Sequence, residues 1–354
     1  MRLYRGLFLG LVIGMLGACG STVEQERGVS ADGINSNEPV EMKPSENYAT
    51  VEKQMKQAGE KKKSNFKVTL LGTGSPLLSM ERFGPATLVE VGEEKLLFDA
   101  GRGASLRLSQ TGVLPGRVNK LFVTHLHSDH TIGIPDVWLT GSLPTAGKRE
   151  TSFEVWGPKG TKNMIRKIEE AYIADVEVRK KNQNETLSGL NAVGHDIEQG
   201  TIFEKKGIEV VAFLVDHGPV KPSFGYRVNY QGHSVVISGD TRYNENLIDF
   251  ARGTDLLIHE VAAARPDNKS PSIKKILDLH TTPEEAGKVF SKVSPKLAVY
   301  SHIVLLDGLT DTEANLAVRT SKIYDGQIVI GEDLMSFEIG DNIKVKDPHF
   351  VLDK

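Results

Sequence analysis

From Phe66 onward the chain alternates short apolar runs with turn residues. "FKVTLLGTGSP", "ATLVEVGEEKLLFDAG", "KLFVTH", "FEVWGP", "IEVVAFLVDHG", "SFGYRVNYQGHSVVISGD", "LLIHEV", "KLAVYSHI" and "QIVIGEDLMSFEIGDNIKV" read as strands, being rich in Val, Ile, Leu and aromatic residues and bounded by Gly, Pro, Asp or Asn. Between some of them the period lengthens to that of a helix. In "TKNMIRKIEEAYIADV", Met164, Ile165, Ile168 and Tyr172 fall on one face. "TTPEEAGKVFSKV" opens with Thr282 as N-cap and Pro283 at the first helical position, and Glu285 closes a capping box. Ala286, Val289 and Phe290 are its expected buried face. "VRKKNQNETLSGLNAVGHD" has neither period and reads as a polar loop. Strands interspersed with helices, without a short-period repeat, predict a layered α/β domain over residues 64–354.

The chain before Phe66 has another character. Arg2 and Arg5 precede an apolar run from Gly6 to Gly17, which is too short and Gly-rich for a membrane span and reads as a signal segment over residues 1–18. The run ends in "LGAC", which resembles the lipobox of bacterial lipoproteins. That resemblance implies cleavage before Cys19, a lipid on its sulfur, export, and attachment to a bacterial membrane on the periplasmic side. Cys19 is also the only cysteine, so no disulfide can form within the chain and no second thiol is offered to a metal. Residues 19–63 are rich in Glu, Ser, Asn and Lys and read as a tether, with only a weak helical spacing at Tyr48, Val51 and Met55. A flexible segment of that length spans ~35 Å on average. The net charge of −3 gives no global basic footprint for nucleic acid.

The candidate chemistry concentrates in "FVTHLHSDHTIGIPD", which carries His125, His127, Asp129 and His130. Asp99, His217, Asp240 and His302 each follow a different apolar run. Residues at successive strand ends converge on one rim of a sheet, where loops build sites. A core cannot bury so many imidazoles and carboxylates without partners, and a metal is a common one. His125 and His127 alternate as on an extended segment, while Asp129 and His130 follow a turn and can face a second ion. Imidazole with carboxylate suits zinc, and iron or manganese is compatible with the same donors. The "LGTGSP" glycines lack the Lys-Ser/Thr of a phosphate loop and any dinucleotide fingerprint, so they read as a tight strand-to-turn connection.

"THLHSDH" resembles the HxHxDH signature of the metallo-β-lactamase superfamily. The resemblance covers nearly everything from Phe66 to Lys354 and implies an α/β four-layered αββα sandwich. Through "LGTGSP", "FDAGRGAS", "ISGDTR", "LIHEVA", "HTTPEEA" and "YSHI" it looks like the ribonuclease Z and arylsulfatase branch. On that pattern His125, His127 and His217 hold one ion, and Asp129, His130 and His302 the other. Asp240 bridges them and Asp99 supports the ligand loop. The resemblance also implies that His280 assists the leaving group, that Glu260 orients it, and that Asp129 belongs to the catalytic set. A true β-lactamase of this fold commonly has a cysteine ligand where this chain has "GD". Glyoxalase II and lactonases share the first motif, but "HTT" before a capped helix favours the ester-cleaving branch. His195, His233, His259 and His349 read as surface or structural residues.

Together these readings lead to the expectation of an exported hydrolase with two divalent ions, zinc preferred. It would cleave sulfate or phosphate esters, arylsulfatase-like or phosphodiesterase-like, with a hydroxide held between the ions. The expected partner is a small anionic ester, with the membrane reached through the lipid anchor; nucleic acid is not expected, and a homodimer is implied by resemblance. The alternative is a ribonuclease Z type tRNA 3′-processing endonuclease. It is set second because export would separate it from RNA, and because no Gly-Pro-rich arm lies between Thr151 and His217. A lactonase or a non-catalytic metal-binding lipoprotein comes further behind, since metal storage needs no proton donor such as His280.

The leader reading is testable by itself. Cys19→Ser should block lipidation, so that the mature domain leaves the membrane fraction or keeps its signal uncleaved. A variant processed and membrane-bound like the parent would remove the lipoprotein reading.

Overall fold

The structure is a computed structural model that describes residues 65–182, 188–265, 267–306 and 313–348. The signal segment, the tether, Cys19, Tyr48, Val51, Met55 and His349 lie outside the described residues. In chain order the strands are β1 (Phe66–Gly72), β2 (Ala86–Val91), β3 (Glu94–Phe98), β4 (Lys120–Phe122), β5 (Phe153–Gly157), β6 (Ala192–Asp196), β7 (Gly200–Lys205), β8 (Ile208–His217), β9 (Val220–Tyr230), β10 (His233–Ile237), β11 (Leu256–Ala263), β12 (Leu297–Leu305), β13 (Ile328–Ile330), β14 (Ser336–Glu338) and β15 (Lys344–Lys346). The helices are α1 (Ala104–Gln110), α2 (Ser128–Thr131), α3 (Ile134–Gly141), α4 (Thr161–Ala171), α5 (Ile173–Asn182), α6 (Glu245–Ala251), α7 (Pro271–Leu277), α8 (Pro283–Val293) and α9 (Glu313–Thr320). One sheet runs β15-β14-β1-β2-β3-β4-β5-β6 and the other β13-β12-β11-β10-β9-β8-β7.

The central strands, such as β1, β11 and β12, read as unbroken apolar runs because both faces of each sheet are covered there. Along β3, Leu96 and Phe98 join the cluster between the sheets, while Leu97 turns outward to Leu108 and Trp138. In β11, Leu256 and Ile258 face inward and Leu257 packs outward with Leu247 and Phe290. Thus α1, α3 and α4 cover the first sheet, and α6, α8 and α9 the second. The product is the αββα sandwich. Phe98 and Phe122 stack with centroids 5.1 Å apart, immediately before Asp99 and the histidine segment. That rigid pair carries the inner rim of the site.

Helix α8 has the capping box expected at Thr282 and Glu285, with Pro283 at N1 and Ala286, Val289 and Phe290 buried. The α4 expectation needs correction at its end. Ile165 is buried, and Met164 and Ile168 pack against the core. Tyr172, however, caps α4 at its C-terminus, is exposed, and is followed directly by α5. The apolar spacing continues through the break, so periodicity alone did not show it. The expected polar loop is also partly regular: Val178 lies in α5 and Ala192–Asp196 form edge strand β6. Only Ala192 of β6 is buried, which leaves an edge strand without a hydrophobic signature.

Backbone irregularities aim the candidate residues. The β11–β12 register shifts between the pairs Glu260–Ser301 and Val261–Ile303, leaving His302 as the extra residue at φ 46°. Such a bulge redirects a side chain out of its strand's alternation. The β8–β9 register shifts between Val215 and His217, and Asp99 follows β3 at φ 56°. The "LGTGSP" turn has a structural task here. Thr73 donates through its backbone N–H and Oγ1 to Asp333 Oδ1 at 2.9 and 2.8 Å. Its carbonyl accepts from Ile303 N at 2.9 Å, next to the bulge. Arg107 and the Phe83 N–H complete the shell of Asp333 at 2.9 and 2.7 Å.

Arg149 is a second internal anchor. It is buried, with Nε donating to Val118 O, Nη1 to Trp138 O, and Nη2 to Val137 O and Pro115 O, at 2.7–3.2 Å. Burial pulls its guanidinium down to about 10. Carbonyls of α3 and the adjoining turn therefore receive their donors from one side chain. Arg149→Met should cost about 3 kcal/mol of stability, because several buried acceptors lose a charged donor. Chemical unfolding of the metal-loaded protein measures this, and a loss below about 1 kcal/mol would show that other donors take over.

Candidate metal centre

The first sheet supplies the histidine segment. Val123 N donates to Trp156 O at 2.7 Å, continuing β4 toward His125. Asp99 then clamps the segment: Thr124 donates from N to Oδ1 at 2.8 Å and from Oγ1 to Oδ2 at 2.9 Å. His130 Nδ1 lies 2.7 Å from the same Oδ2. The short α2 turns Asp129 and His130 inward while His127 stays exposed at its start. The second sheet contributes His217, Asp240 and His302 from β8, the segment after β10, and the bulge of β12.

These residues assemble into two groups. His125, His127, His217 and Asp240 present potential ligand atoms within 4.8 Å of one another, as do Asp129, His130 and His302. Asp240 Oδ2 lies 3.7 Å from His125 Nε2, 3.4 Å from His130 Nε2, 3.8 Å from His217 Nε2 and 3.4 Å from His302 Nε2. His302 Nε2 is also 3.3 Å from Asp129 Oδ2. His217 Nδ1 donates to Leu279 O at 3.0 Å, and His130 Nδ1 is engaged by Asp99, so each ring keeps Nε2 for a ligand role. The buried His130 Nε2, His217 Nε2 and Asp240 Oδ1 have no hydrogen-bond partner among the described residues.

Electrostatics points the same way. Burial holds His125 well below the usual imidazole range, with the neighbouring His130 charge adding to it. Burial also lowers His217. For Asp240, burial favours the neutral acid, but His302, His130 and His125 outweigh it and keep the carboxyl well below the usual range. His130 goes the other way: burial disfavours its charge, but Asp240 and Asp99 outweigh that and hold it well above the usual imidazole range. A ring of imidazoles around an ionised carboxylate, with the Nε2 atoms of His130 and His217 orphaned, fits a divalent cation that would take the place of the His130 proton. Zinc-type donors are present, without any thiolate.

A separate pair stands beside the cluster. His280 Nδ1 lies 3.0 Å from Glu260 Oε1, which also accepts from Thr241 N at 3.0 Å and Thr281 N at 3.2 Å. Burial disfavours charged His280, yet the Glu260 carboxylate overcomes this and lifts the imidazole to about 9. Asp240, His280 and His302 also have potential ligand atoms within 4.8 Å, so distance alone does not separate a proton donor from a ligand.

Elsewhere, His195 stacks on Trp156 and meets Glu154 at 2.5 Å, while His233 lies 3.5 Å from Asp255. His259 is buried with Nδ1 donating to Glu260 O at 2.7 Å. None of these three joins the cluster. Sequence reasoning passed over Thr124 and the Leu279 carbonyl, which set ligand orientation. Thr124 had one usable signal, its place directly before His125; a backbone carbonyl had none.

Fold and site define a member of a metal-dependent hydrolase family, and comparison with known proteins agrees. Residues 94–303 match the beta-lactamase superfamily domain, and the chain belongs to the metallo-β-lactamase superfamily. It is 31% identical over 278 residues to a protein named ribonuclease Z from Mycobacterium marinum, covering 77% of this chain and 99% of that one. A ribonuclease Z of Mycobacterium bovis is 30% identical over 276 residues, with 77% and 98% covered. Among solved structures, the metallo-beta-lactamase fold protein YhfI of Bacillus subtilis superposes with a TM-score of 0.59 at 18% identity, covering 77% of this chain and 98% of that one. The short form of human tRNase Z gives 0.57 at 24% identity, covering 76% and 98%. Those two likenesses concern the fold.

The relatives overturn the expected substrate. Nothing in them supports a sulfate ester or a small anionic ester, and the exclusion of nucleic acid fails with that expectation. Proteins named ribonuclease Z align over 98–99% of their own length, so the missing Gly-Pro-rich arm did not discriminate.

Asp240→Ala should weaken metal retention by roughly tenfold or more, since one oxygen serves four imidazoles. Metal analysis after dialysis against a graded chelator measures it. Unchanged retention in a folded variant would remove Asp240 from the centre.

Proposed function

We propose that the protein is a ribonuclease Z type phosphodiesterase that cuts RNA at the 3′ side of tRNA precursors, using two divalent cations, zinc by donor type. The observation carrying this reading is the similarity at 30–31% identity to proteins named ribonuclease Z over nearly their whole length. His125, His127 and His217 would hold one cation and Asp129, His130 and His302 the other, with Asp240 serving both. Bound there, the cations supply Lewis acidity toward the phosphate and acidify water. Membrane attachment through Cys19 remains a separate proposal about where the protein works.

The remaining chemistry belongs to the chain. A departing ribose oxygen is strongly basic and leaves with a proton. His280 is placed to provide it: Glu260 occupies Nδ1 and leaves Nε2 for the substrate. The same carboxylate keeps the imidazole protonated at neutral pH. Two backbone N–H groups hold Glu260 Oε1, so the dyad is positioned before substrate arrives.

The test compares a precursor tRNA with a 3′ trailer, a bis-aryl phosphate and an aryl sulfate, using metal-loaded protein. The precursor should be cleaved near its trailer. Turnover of aryl sulfate with no cleavage of precursor would overturn the reading. His280→Ala should keep its metal but lose on the order of 10²–10⁴ in RNA cleavage rate. Across aryl phosphodiesters the loss should shrink as the leaving group becomes more acidic. Glu260→Gln should move the alkaline limb of the rate to lower pH, because His280 then loses the charge that keeps it protonated. A uniform loss across the series, or one that follows metal content, would make His280 a ligand.

A further inference from the structure

Arg242 follows Asp240 by two residues, and the roles described so far leave its guanidinium unused. Its backbone N–H donates to Asp216 O at 2.9 Å, which ties it to the residue preceding His217. Its Nε lies 3.5 Å from Asp216 Oδ2, a charge contact that falls short of a hydrogen bond. Asp216 Oδ1 is already taken by Gly218 N at 3.0 Å. A Cβ placed on Gly218 would stand 3.0 Å from Arg242 Nη2 and would also run into Leu279 Cδ2. The terminal nitrogens are therefore beside the His217–Gly218 corner, on the side where Leu279 leads into His280.

Arg107, Arg149, Arg227 and Arg319 each spend terminal N–H groups on protein oxygens. Neither Nη of Arg242 has a hydrogen bond to any described residue, and its side chain is 42% exposed. A guanidinium whose Nε faces the Asp216 carboxylate only as a charge contact, and whose fork is bare, can take a bidentate oxyanion. Its neighbours on one side are metal-site residues and on the other the His280 segment.

Resting on the proposed function, we infer that Arg242 grips a phosphate of the RNA backbone next to the one being cut. A polynucleotide offers such a second phosphate at every step along its chain. A simple diester has none.

The experiment uses the metal-loaded full chain, with precursor tRNA and bis(p-nitrophenyl) phosphate as substrates for the parent, Arg242→Ala and Arg242→Lys. Arg242→Ala should raise KM for the precursor by roughly tenfold or more while kcat and metal content stay close to the parent. Its loss in kcat/KM should be at least about tenfold larger for RNA than for the small diester. The slope of log KM against log salt should fall by about one unit, and Arg242→Lys should recover part of KM. An unchanged KM and salt slope would overturn the inference. So would equal losses on both substrates, which would make Arg242 a support for the His217 corner. If the parent itself leaves RNA uncut, it is the proposed function that falls, and the clamp falls with it.

Discussion

Asp240 Oδ2 stands within 3.8 Å of four imidazole Nε2 atoms, and both sheets are committed to keeping it there. A carboxylate taken out of water costs several kcal/mol unless charge and hydrogen bonds replace its hydration. Among the described residues that compensation is incomplete, since Asp240 Oδ1 and the Nε2 atoms of His130 and His217 lack hydrogen-bond partners. The arrangement makes physical sense as one half of an electrostatic contract whose other half is a cation. A cation bound there would supply the missing compensation and so add to the stability of the folded chain.

The fold sustains that crowd by giving up regularity at a few chosen points. An unbroken β12 would send successive residues alternately to its two covered faces. The extra residue at His302 breaks the alternation, and the Thr73 carbonyl fastens Ile303 just beyond it. Asp99 accepts a left-handed backbone and in return collects Thr124 and His130 at one carboxylate. The glycine-rich turn after β1 serves this end too. Its glycines run so close to the Arg82–Gly84 backbone that a Cβ would collide with it, and Thr73 between them binds Asp333 and the bulge, so these glycines act on the site at one remove.

These relations explain what could be read from the residues. Apolar runs revealed the strands because both sheet faces are buried, and strand-end polar residues revealed the rim. The capping box at Thr282 needed only local chemistry. By contrast, β6 was hidden because a half-exposed edge strand need not be apolar, and the end of α4 at Tyr172 was hidden because the helical spacing runs through it. Thr124 and the Leu279 carbonyl act through orientation, which composition cannot report. The pairing of His280 with Glu260, twenty positions apart, came from family resemblance; only the geometry shows Oε1 also held by two backbone donors.

The substrate was the weakest step, and the reason is physical. A leader peptide acts on where a chain goes, whereas the ester it cuts is chosen by groups around the metal centre. Using export to exclude RNA joined two properties that separate parts of the chain control independently. The inner residues cannot choose either, because the same His and Asp donors would activate water against a sulfate or a phosphate ester. Choice has to arise one layer out, among groups that meet the substrate away from the reacting atom. A polynucleotide differs from a small ester chiefly in its further phosphates, so a contact able to tell them apart would be a cationic fork near the centre but not in it. Arg242, with its terminal nitrogens unspent beside the His217 corner, is a group of that kind.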